Sequence, residues 1–355
     1  MKDIPTLGVC ILTMNSEVSI GYVLSYLLKQ DYPKDRLLYL IVDGGSSDRT
    51  LEIVRRIFGE YPGLSYDIVV ATGSNIPQAR NVCLEKLLQV GVDYILFVDS
   101  DTVVTPTNAL QLITQLAEDR RSLIYFAFIP KYFKNVTELH KFVSGLQPSK
   151  VSVVSEDLVP SLQIGMGFTI IPRELAATVR FDEDMDFGED HLYALKAFST
   201  GYIPYKARRV LPIYDVNVAG SRGDIYWRMP ARRYLRSVRK KTLRILIASI
   251  EDGLLKFSYK RLLRILIKHI VNSGLVVLLI LLPVLAVKNF RLFIAGALAE
   301  LAVTSGYAIY KKLKGFSLVE SLKNRLKFEL FSFLTLLSLP LTYRDFLKYF
   351  RKLRR

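Results

Sequence analysis

Apolar and polar positions near the start of the chain alternate between buried strands and amphipathic helices. Continuous apolar runs predict strands at Leu7–Thr13, Leu38–Val42, Tyr66–Ala71 and Tyr94–Val98. Apolar side chains three or four positions apart predict helices at Ile20–Gln30, Asp48–Phe58 and Gln78–Val90, the second with Ser47 or Asp48 as its N-cap. This alternation is typical of an α/β fold with a mostly parallel sheet covered by helices on both faces.

Polar side chains follow three of these predicted strands. Asn15 follows the first strand, Asp43 the second, and Asp99 and Asp101 the fourth. Because ligands of parallel sheets bind beyond the carboxyl ends of the strands, we expect these residues at one edge. Two carboxylates two positions apart offer hard oxygen ligands, which suit Mg²⁺ or Mn²⁺ bound to a diphosphate. Any one of these residues taken alone fits a turn or a helix cap equally well.

The rest of the chain has a different composition. Residues 1–205 hold 18 Lys and Arg against 25 Asp and Glu, a net charge of −7, whereas residues 206–355 hold 31 against 8, a net charge of +23. Two apolar stretches, 270–287 and 292–310, have the length of a span across a bilayer core of about 30 Å. A third, 328–343, is marginal in length and contains Glu329 and Pro340. Buried helices of a soluble domain are the alternative interpretation.

Basic clusters flank the apolar stretches, which favours the membrane interpretation and predicts an orientation. The positive-inside rule predicts that residues 1–220 lie on the cytoplasmic side of the cell membrane, and no signal peptide is apparent at the N-terminus. Residues 221–268 combine an apolar stripe with Arg and Lys, the pattern of interfacial helices on an anionic leaflet. We expect residues 269–355 to form two spans and a re-entrant or interfacial third segment.

Composition and charge also bear on metal and nucleic-acid binding. Cys10 and Cys83 cannot build a disulfide framework or a thiolate zinc site, and three scattered histidines disfavour a histidine metal centre. A formal net charge of +16 would suit nucleic acid, but the basic residues accompany the apolar stretches. We therefore expect no nucleic-acid partner.

Seven short motifs in order carry a resemblance to a known family. They are LTMN (Leu12–Asn15), QDYP (Gln30–Pro33), IVDGGSSDRT (Ile41–Thr50), ARN (Ala79–Asn81), FVDSD (Phe97–Asp101), GMGF (Gly165–Phe168) and FGED (Phe187–Asp190). In order and spacing, about the first 215 residues resemble a family 2 glycosyltransferase with the nucleotide-sugar-binding GT-A fold. Each motif separately is ordinary.

The resemblance implies a role for each matching position. The nucleotide-sugar donor would be held by Thr13, Asn15, Asp43, Arg80 and Asp99, and Mg²⁺ or Mn²⁺ by Asp99 and Asp101. Asp190 would be the catalytic base, and the acceptor site would include Glu189, Gly165 and Gly167. A carboxylate within hydrogen-bond reach of an acceptor hydroxyl can take its proton, and the family implies that the displacement inverts configuration.

The chain departs from the family pattern at three places. Gly44 follows Asp43 where many relatives have a second aspartate, and VLPIYDVN lacks the histidine that some relatives supply to the metal, although Asp215 is a possible substitute. The Q-x-x-R-W signature of processive polysaccharide synthases is missing, which favours transfer of single sugars.

Five aromatic residues after the D-x-D motif fit either the core, which we favour, or an acceptor-facing surface. They are Tyr125, Phe126, Phe128, Tyr132 and Phe133.

The sequence therefore predicts an inverting, metal-dependent, multi-pass membrane glycosyltransferase with a polyprenyl-linked acceptor. The alternative within the family uses the lipid phosphate itself as the acceptor. A sugar-1-phosphate nucleotidyltransferase is disfavoured because LTMNSEVSIGY lacks a glycine-rich, basic triphosphate loop. A non-catalytic nucleotide-sugar-binding membrane protein is disfavoured because Asp99, Asp101 and Asp190 are all present.

Overall fold

The computed structural model describes residues 4–162, 164–185 and 188–218, and the isolated residues 305, 306 and 309. Met1–Val218 form one compact unit, and the fold given below is that of its described residues. Within the described part of the chain, no helix has the length and apolar character needed to cross a bilayer. The predicted segments 221–268, 270–287 and 328–343 lie outside the described residues, as does nearly all of 292–310. The predicted domain boundaries stay a prediction.

The described residues form short strands and helices in alternation. The strands are β1 Leu7–Thr13, β2 Leu37–Asp43, β3 Ser65–Val70, β4 Tyr94–Asp99, β5 Thr102–Val104, β6 Ile124–Tyr125, β7 Ile129–Phe133, β8 Leu158–Pro160, β9 Phe168–Pro172, β10 Tyr205–Ala207 and β11 Ile213–Val218. The α-helices are α1 Ile20–Leu27, α2 Thr50–Gly59, α3 Ile76–Val90, α4 Ala109–Arg120, α5 Val136–Ser144, α6 Arg173–Thr178 and α7 Glu189–Ser199.

The central sheet has eight strands in the order β3-β2-β1-β4-β9-β6-β10-β8. Strands β1 to β4 are mutually parallel where they pair, β9 is antiparallel to β4 and β6, and β10 is parallel to β6. A second sheet has the order β5-β11-β7. The predicted α/β fold with a mostly parallel sheet is confirmed.

Burial explains why the prediction for β1 agrees with the structure. Strand β1 spans the predicted Leu7–Thr13, and the side chains of Leu7, Val9 and Ile11 in it are fully buried. Helix α1 ends at Leu27, three residues before the prediction, and the Gln30 side chain beyond it bonds to the start of α4 and the segment before it. Its amide donates to the carbonyl of Pro106 at 2.8 Å, and its Oε1 accepts from the backbone N–H of Ala109 at 3.1 Å.

The predicted N-cap of α2 was wrong by one or two positions. Arg49 occupies the cap position of this helix. The Asp48 carboxylate still serves the helix start, because it accepts from the backbone N–H of Thr50 at 3.0 Å and from that of Glu17 at 3.1 Å. Helix α3 begins with a capping box between Asn75 and Gln78, which satisfies two backbone donors at its start.

Strand register brings several predicted site residues to one edge of the central sheet. Thr13 pairs with Asp43, and Leu12 pairs with Asp99, so β1, β2 and β4 end together. Strand β9 begins at that edge, since it is antiparallel to β4 with Val98 opposite Phe168. Beneath this edge a disulfide between Cys10 and Cys83 joins β1 to α3, with 6.2 Å between the two Cα atoms.

Candidate active site

The guanidinium of Arg80 joins residues from two distant parts of the chain. Nη1 lies 2.6 Å from Oε1 of Glu189, and Nη2 lies 4.0 Å from Oδ1 of Asp99. The guanidinium also packs 5.4 Å from the ring centroid of Phe181, and the Arg80 side chain is only 7% exposed. Arg80 therefore links partly exposed Asp99, predicted for the donor and the metal, to buried Glu189, predicted for the acceptor site.

Glu189 and Asp190 are placed by the first turn of α7. Gly188 precedes the helix with a φ of 72°, a left-handed conformation that glycine adopts without steric cost. Carboxylates in the first turn are stabilised by the helix dipole. Burial raises the pKa of Glu189 above its ordinary value, while Arg80 opposes that shift. The Asp190 carboxylate is 22% exposed and lies 3.1 Å from Nδ1 of His191.

The glycine motif GMGF packs directly against the predicted acids. A Cβ placed on Gly167 would lie 2.9 Å from Oδ2 of Asp99, closer than real Cβ atoms approach, and 3.0 Å from the Phe128 ring, tighter than most Cβ contacts. The backbone N–H of Asp99 also donates to the carbonyl of Gly167 at 3.2 Å. A Cβ on Gly165 would make an ordinary contact of 3.4 Å with the Tyr125 hydroxyl. Gly167 is therefore required for the approach of β9 to Asp99.

Tyr125 is a functional candidate for which the sequence favours the core over an acceptor-facing surface. It is the last residue of β6, at the same sheet edge as Asp99, and is 8% exposed. Burial raises the pKa of Tyr125 to about 12, and the charges of Asp190, Asp99 and Asp215 add to that shift. The negative charges of three carboxylates therefore act on one buried phenol. A two-residue strand gives no periodicity from which this position could have been predicted.

Asp43 is fully buried, and its oxygens accept hydrogen bonds from its own loop. Oδ1 accepts from the hydroxyls of Thr13 at 2.8 Å and Ser46 at 2.5 Å. Oδ2 accepts from the backbone N–H groups of Gly45 at 3.0 Å and Ser46 at 2.7 Å. Thr13 and Asp43 thus shape the loop after β2, and their predicted contact with the nucleotide stays a prediction.

Asn15 belongs to the same loop region and remains exposed. Its φ of 51° lies in the left-handed region, where asparagine is several-fold enriched among non-glycine residues. Its Oδ1 accepts from the backbone N–H of Ser47 at 2.8 Å, and its own N–H donates to the hydroxyl of Ser46 at 2.8 Å. The loops after β1 and β2 are therefore held together beside the site.

The two acids of the D-x-D motif differ in exposure. The Asp99 side chain is 39% exposed, whereas Asp101 is 2% exposed and its carbonyl accepts from the backbone N–H of Val216 in β11. Asp215, the suggested substitute for a metal-binding histidine, pairs with Thr102 directly beside Asp101. Among the described residues, no three Asp, Glu, His or Cys side chains converge as a metal cage.

Asn81, next to Arg80 in the ARN motif, holds the segment that leads to α7. Its Nδ2 donates to the carbonyl of Phe181 at 3.0 Å, and its Oδ1 accepts from the backbone N–H of Phe181 at 2.9 Å. Nδ2 also lies 2.9 Å from Oε1 of Glu183. Phe181 in turn stacks on Tyr193 of α7, with 4.3 Å between centroids. The ARN motif in α3 thus holds Phe181, which packs against α7.

Part of the chain matches a known protein family. Residues 8–155 match the model of glycosyl transferase family 2. The matched region is similar to a glycosyltransferase domain and includes Asp43, Arg80, Asp99 and Asp101. It ends before the GMGF motif and α7, where Gly167 lies against Asp99, Glu189 pairs with Arg80, and Asp190 follows Glu189 in the first turn of α7.

Curated relatives share the family 2 region. The chain is 27% identical over 200 residues to the poly(ribitol-phosphate) β-N-acetylglucosaminyltransferase TarS of Staphylococcus aureus, with 54% of this chain and 32% of TarS covered. It is 32% identical over 129 residues to the β-monoglucosyldiacylglycerol synthase of a Synechocystis species, with 36% of this chain and 24% of the synthase covered. The chain thus spans about a third or less of the length of these two relatives.

Solved structures share the GT-A-like fold. The mannosyltransferase PcManGT from Pyrobaculum calidifontis, in complex with GDP-Man and Mn²⁺, superposes with a TM-score of 0.57 at 18% identity, covering 92% of this chain and 88% of that one. TarS residues 1–349 from S. aureus, in complex with UDP-GlcNAc, superpose with a TM-score of 0.55 at 20% identity, covering 73% and 71%. These similarities establish the fold.

Proposed function

We propose that the protein is an inverting glycosyltransferase that transfers single sugars from a nucleotide-diphosphate donor to a lipid-linked acceptor. The observation that carries the proposal is the contact of Arg80 with both Asp99 and Glu189. It puts the acid predicted for the donor beside the acids predicted for the acceptor at one sheet edge. A single displacement needs both groups within reach of one sugar carbon.

Asp190 is suited to the role of general base. Its carboxylate is partly exposed and follows Glu189 in the first turn of α7. In the proposed reaction Asp190 takes the proton of an acceptor hydroxyl while the hydroxyl oxygen bonds to the anomeric carbon of the donor sugar. The bond from that carbon to the diphosphate oxygen breaks, and the nucleotide diphosphate departs with the electron pair.

Asp99 and Asp101 would hold Mg²⁺ or Mn²⁺ together with the donor. Mg²⁺ is usually bound by one or two carboxylates and by substrate phosphates, so a pair of acids fits this cation without a third side chain. A bound cation neutralises charge that develops on the departing diphosphate. Asp99 is the partly exposed member of the pair, which suits it for contact with both cation and donor.

The lipid-linked acceptor is proposed from the sequence after residue 220. Its apolar stretches and basic clusters would anchor the protein as a multi-pass protein at an anionic cytoplasmic leaflet of the cell membrane, with the catalytic domain in the cytoplasm. The name of one relative, a β-monoglucosyldiacylglycerol synthase, contains that of a lipid, which supports an acceptor of this class. A polyprenyl-linked acceptor suits this placement.

The test is transfer from labelled donors in membranes that contain the full-length protein. A panel of UDP- and GDP-linked sugars is supplied with and without Mn²⁺, and the lipids are extracted. We expect one donor to label the lipid extract in a cation-dependent manner, with loss of label in Asp99→Asn and retention in Asp67→Asn, an exposed acid of β3. Label confined to water-soluble product would refute the lipid acceptor, and no labelled product from any donor would refute the transferase.

A further inference from the structure

Tyr125 and Lys206 are neighbours on parallel strands at the acid-lined edge. Strands β6 and β10 pair with Lys206 opposite Tyr125, and the Lys206 ammonium lies 5.7 Å from the centroid of the Tyr125 ring. Lys206 is half-buried and forms no ion pair with any acid in the described ranges. A positive charge is therefore held next to a buried phenol at the edge of the sheet that carries Asp99.

The Tyr125 hydroxyl is a hydrogen-bond donor without an acceptor among the described residues, and it lies against Gly165 at the beginning of the GMGF motif. A phenol has an ordinary pKa of about 10, so its hydroxyl is protonated at neutral pH. The hydroxyl can therefore donate to a ligand oxygen.

The other charged groups at this edge do not offer a donor to an anionic ligand. Asp99, Asp190 and Asp215 accept hydrogen bonds when ionised and repel negative charge. The Arg80 guanidinium is engaged with Glu189. A phosphate group that approached here would need a cation and a neutral donor, which Lys206 and Tyr125 together provide.

The position of the pair in the sheet separates it from the predicted nucleotide residues. Thr13 and Asp43 lie on β1 and β2, on one side of β4, whereas Tyr125 and Lys206 lie beyond β9 on the other side. A nucleotide-sugar donor bound across β1, β2 and Asp99 would leave the β6–β10 side of the sheet for the sugar acceptor. We propose that Tyr125 and Lys206 form a subsite for a phosphate group of the acceptor, an inference that rests on the proposed glycosyl transfer.

The experiment measures ligand binding to the full-length protein in detergent micelles, without sugar transfer. The probes are farnesyl phosphate, farnesol, glycerol 3-phosphate and UDP. The variants are Lys206→Gln, which removes the charge, and Tyr125→Phe, which keeps the ring under Lys206 and removes only the hydroxyl. Lys34→Gln is the matched control, because the Lys34 ammonium also lies over a tyrosine ring, 5.4 Å from the Tyr61 centroid, next to the start of β2.

We expect each site variant to weaken binding of a phosphate probe by about tenfold, the effect of losing one hydrogen bond to a charged group. Binding of farnesol and UDP should not change, and Lys34→Gln should match the wild type. A loss with farnesyl phosphate assigns a lipid phosphate to the subsite, and a loss with glycerol 3-phosphate alone assigns a soluble one.

Unchanged binding of both phosphate probes in the two variants would overturn the subsite. An equal loss of UDP binding would also overturn it, because the phosphate would then belong to the donor. Since the measurement needs no turnover, the subsite can be supported even where glycosyl transfer fails, and refuted where transfer is found. If Lys206→Gln does not fold, as judged by thermal unfolding, Tyr125→Phe decides the outcome alone.

Discussion

Arg80 and Glu189 form a buried ion pair, with 2.6 Å between Nη1 and Oε1, although 109 residues separate them in the chain. The pair connects α3 to the first turn of α7, and Nη2 of the same guanidinium extends to Asp99 at 4.0 Å. Removing one member of a buried pair leaves the other charge without compensation, so the pair matters to both stability and site geometry.

We predict that Arg80→Met lowers the free energy of unfolding by about 3–5 kcal/mol, because Glu189 remains buried without its partner. Adding Glu189→Gln should recover part of this loss, since the uncompensated charge is then removed. Thermal or denaturant unfolding measures both effects. Arg49→Met is the control, because Arg49 pairs with Glu52 at 2.8 Å with its side chain 71% exposed, and it should leave stability unchanged. Equal effects at the two arginines would contradict the account.

Gly167→Ala should strongly reduce sugar transfer, because its Cβ would lie 2.9 Å from Oδ2 of Asp99 and 3.0 Å from the Phe128 ring. Gly165→Ala should be better tolerated, since its contact with Tyr125 is an ordinary 3.4 Å. Steady-state kinetics on both variants make the comparison. A Gly167→Ala enzyme with the cation and donor dependence of the wild type would show that β9 does not need to approach Asp99 closely.

Asn81→Ala should reduce kcat more than it changes donor binding. The variant loses the hydrogen bonds that hold Phe181 at 2.9 and 3.0 Å, so the segment leading to Glu189 and Asp190 is held to α3 less firmly, although the Arg80–Glu189 pair remains. Each buried polar group left unpaired also costs about 1–3 kcal/mol of stability. Gln89→Ala, on the exposed end of the same helix, is the control. A rise in the donor KM with an unchanged kcat would place Asn81 in donor binding instead.

The sequence predicted the parts of the fold in which apolar patterning is strong. Strands β1, β2 and β4 were found with their polar terminal residues because each is a continuous apolar run, and parallel pairing then brings Thr13, Asp43 and Asp99 to one edge. The position of α7 beside this edge was implied only by the resemblance to the family. Because Arg80 and Glu189 are 109 residues apart in the chain, no local sequence pattern indicates that α7 lies beside this edge.

Two features of the site could not be predicted from the sequence, and each has a physical reason. They are the hydrogen bonds that satisfy Asp43 and the neighbouring positions of Tyr125 and Lys206. From its position at the end of a strand, Asp43 is predicted to face a ligand. In the structure its carboxylate is fully buried and accepts four hydrogen bonds from nearby residues. Tyr125 and Lys206 lie on strands of two and three residues, too short to show an alternation of burial. Only the register of β6 and β10 reveals that they are neighbours.

The most direct test of the account is transfer by Asp190→Asn, measured together with donor binding. Asparagine keeps the size of the side chain but cannot take a proton, so we expect transfer to an acceptor hydroxyl to fall by about 10²–10⁴-fold while donor binding is unchanged. Wild-type transfer by this variant would contradict the assignment of Asp190 as the base. With a lipid phosphate as the acceptor, that result would instead support direct attack by the phosphate oxygen.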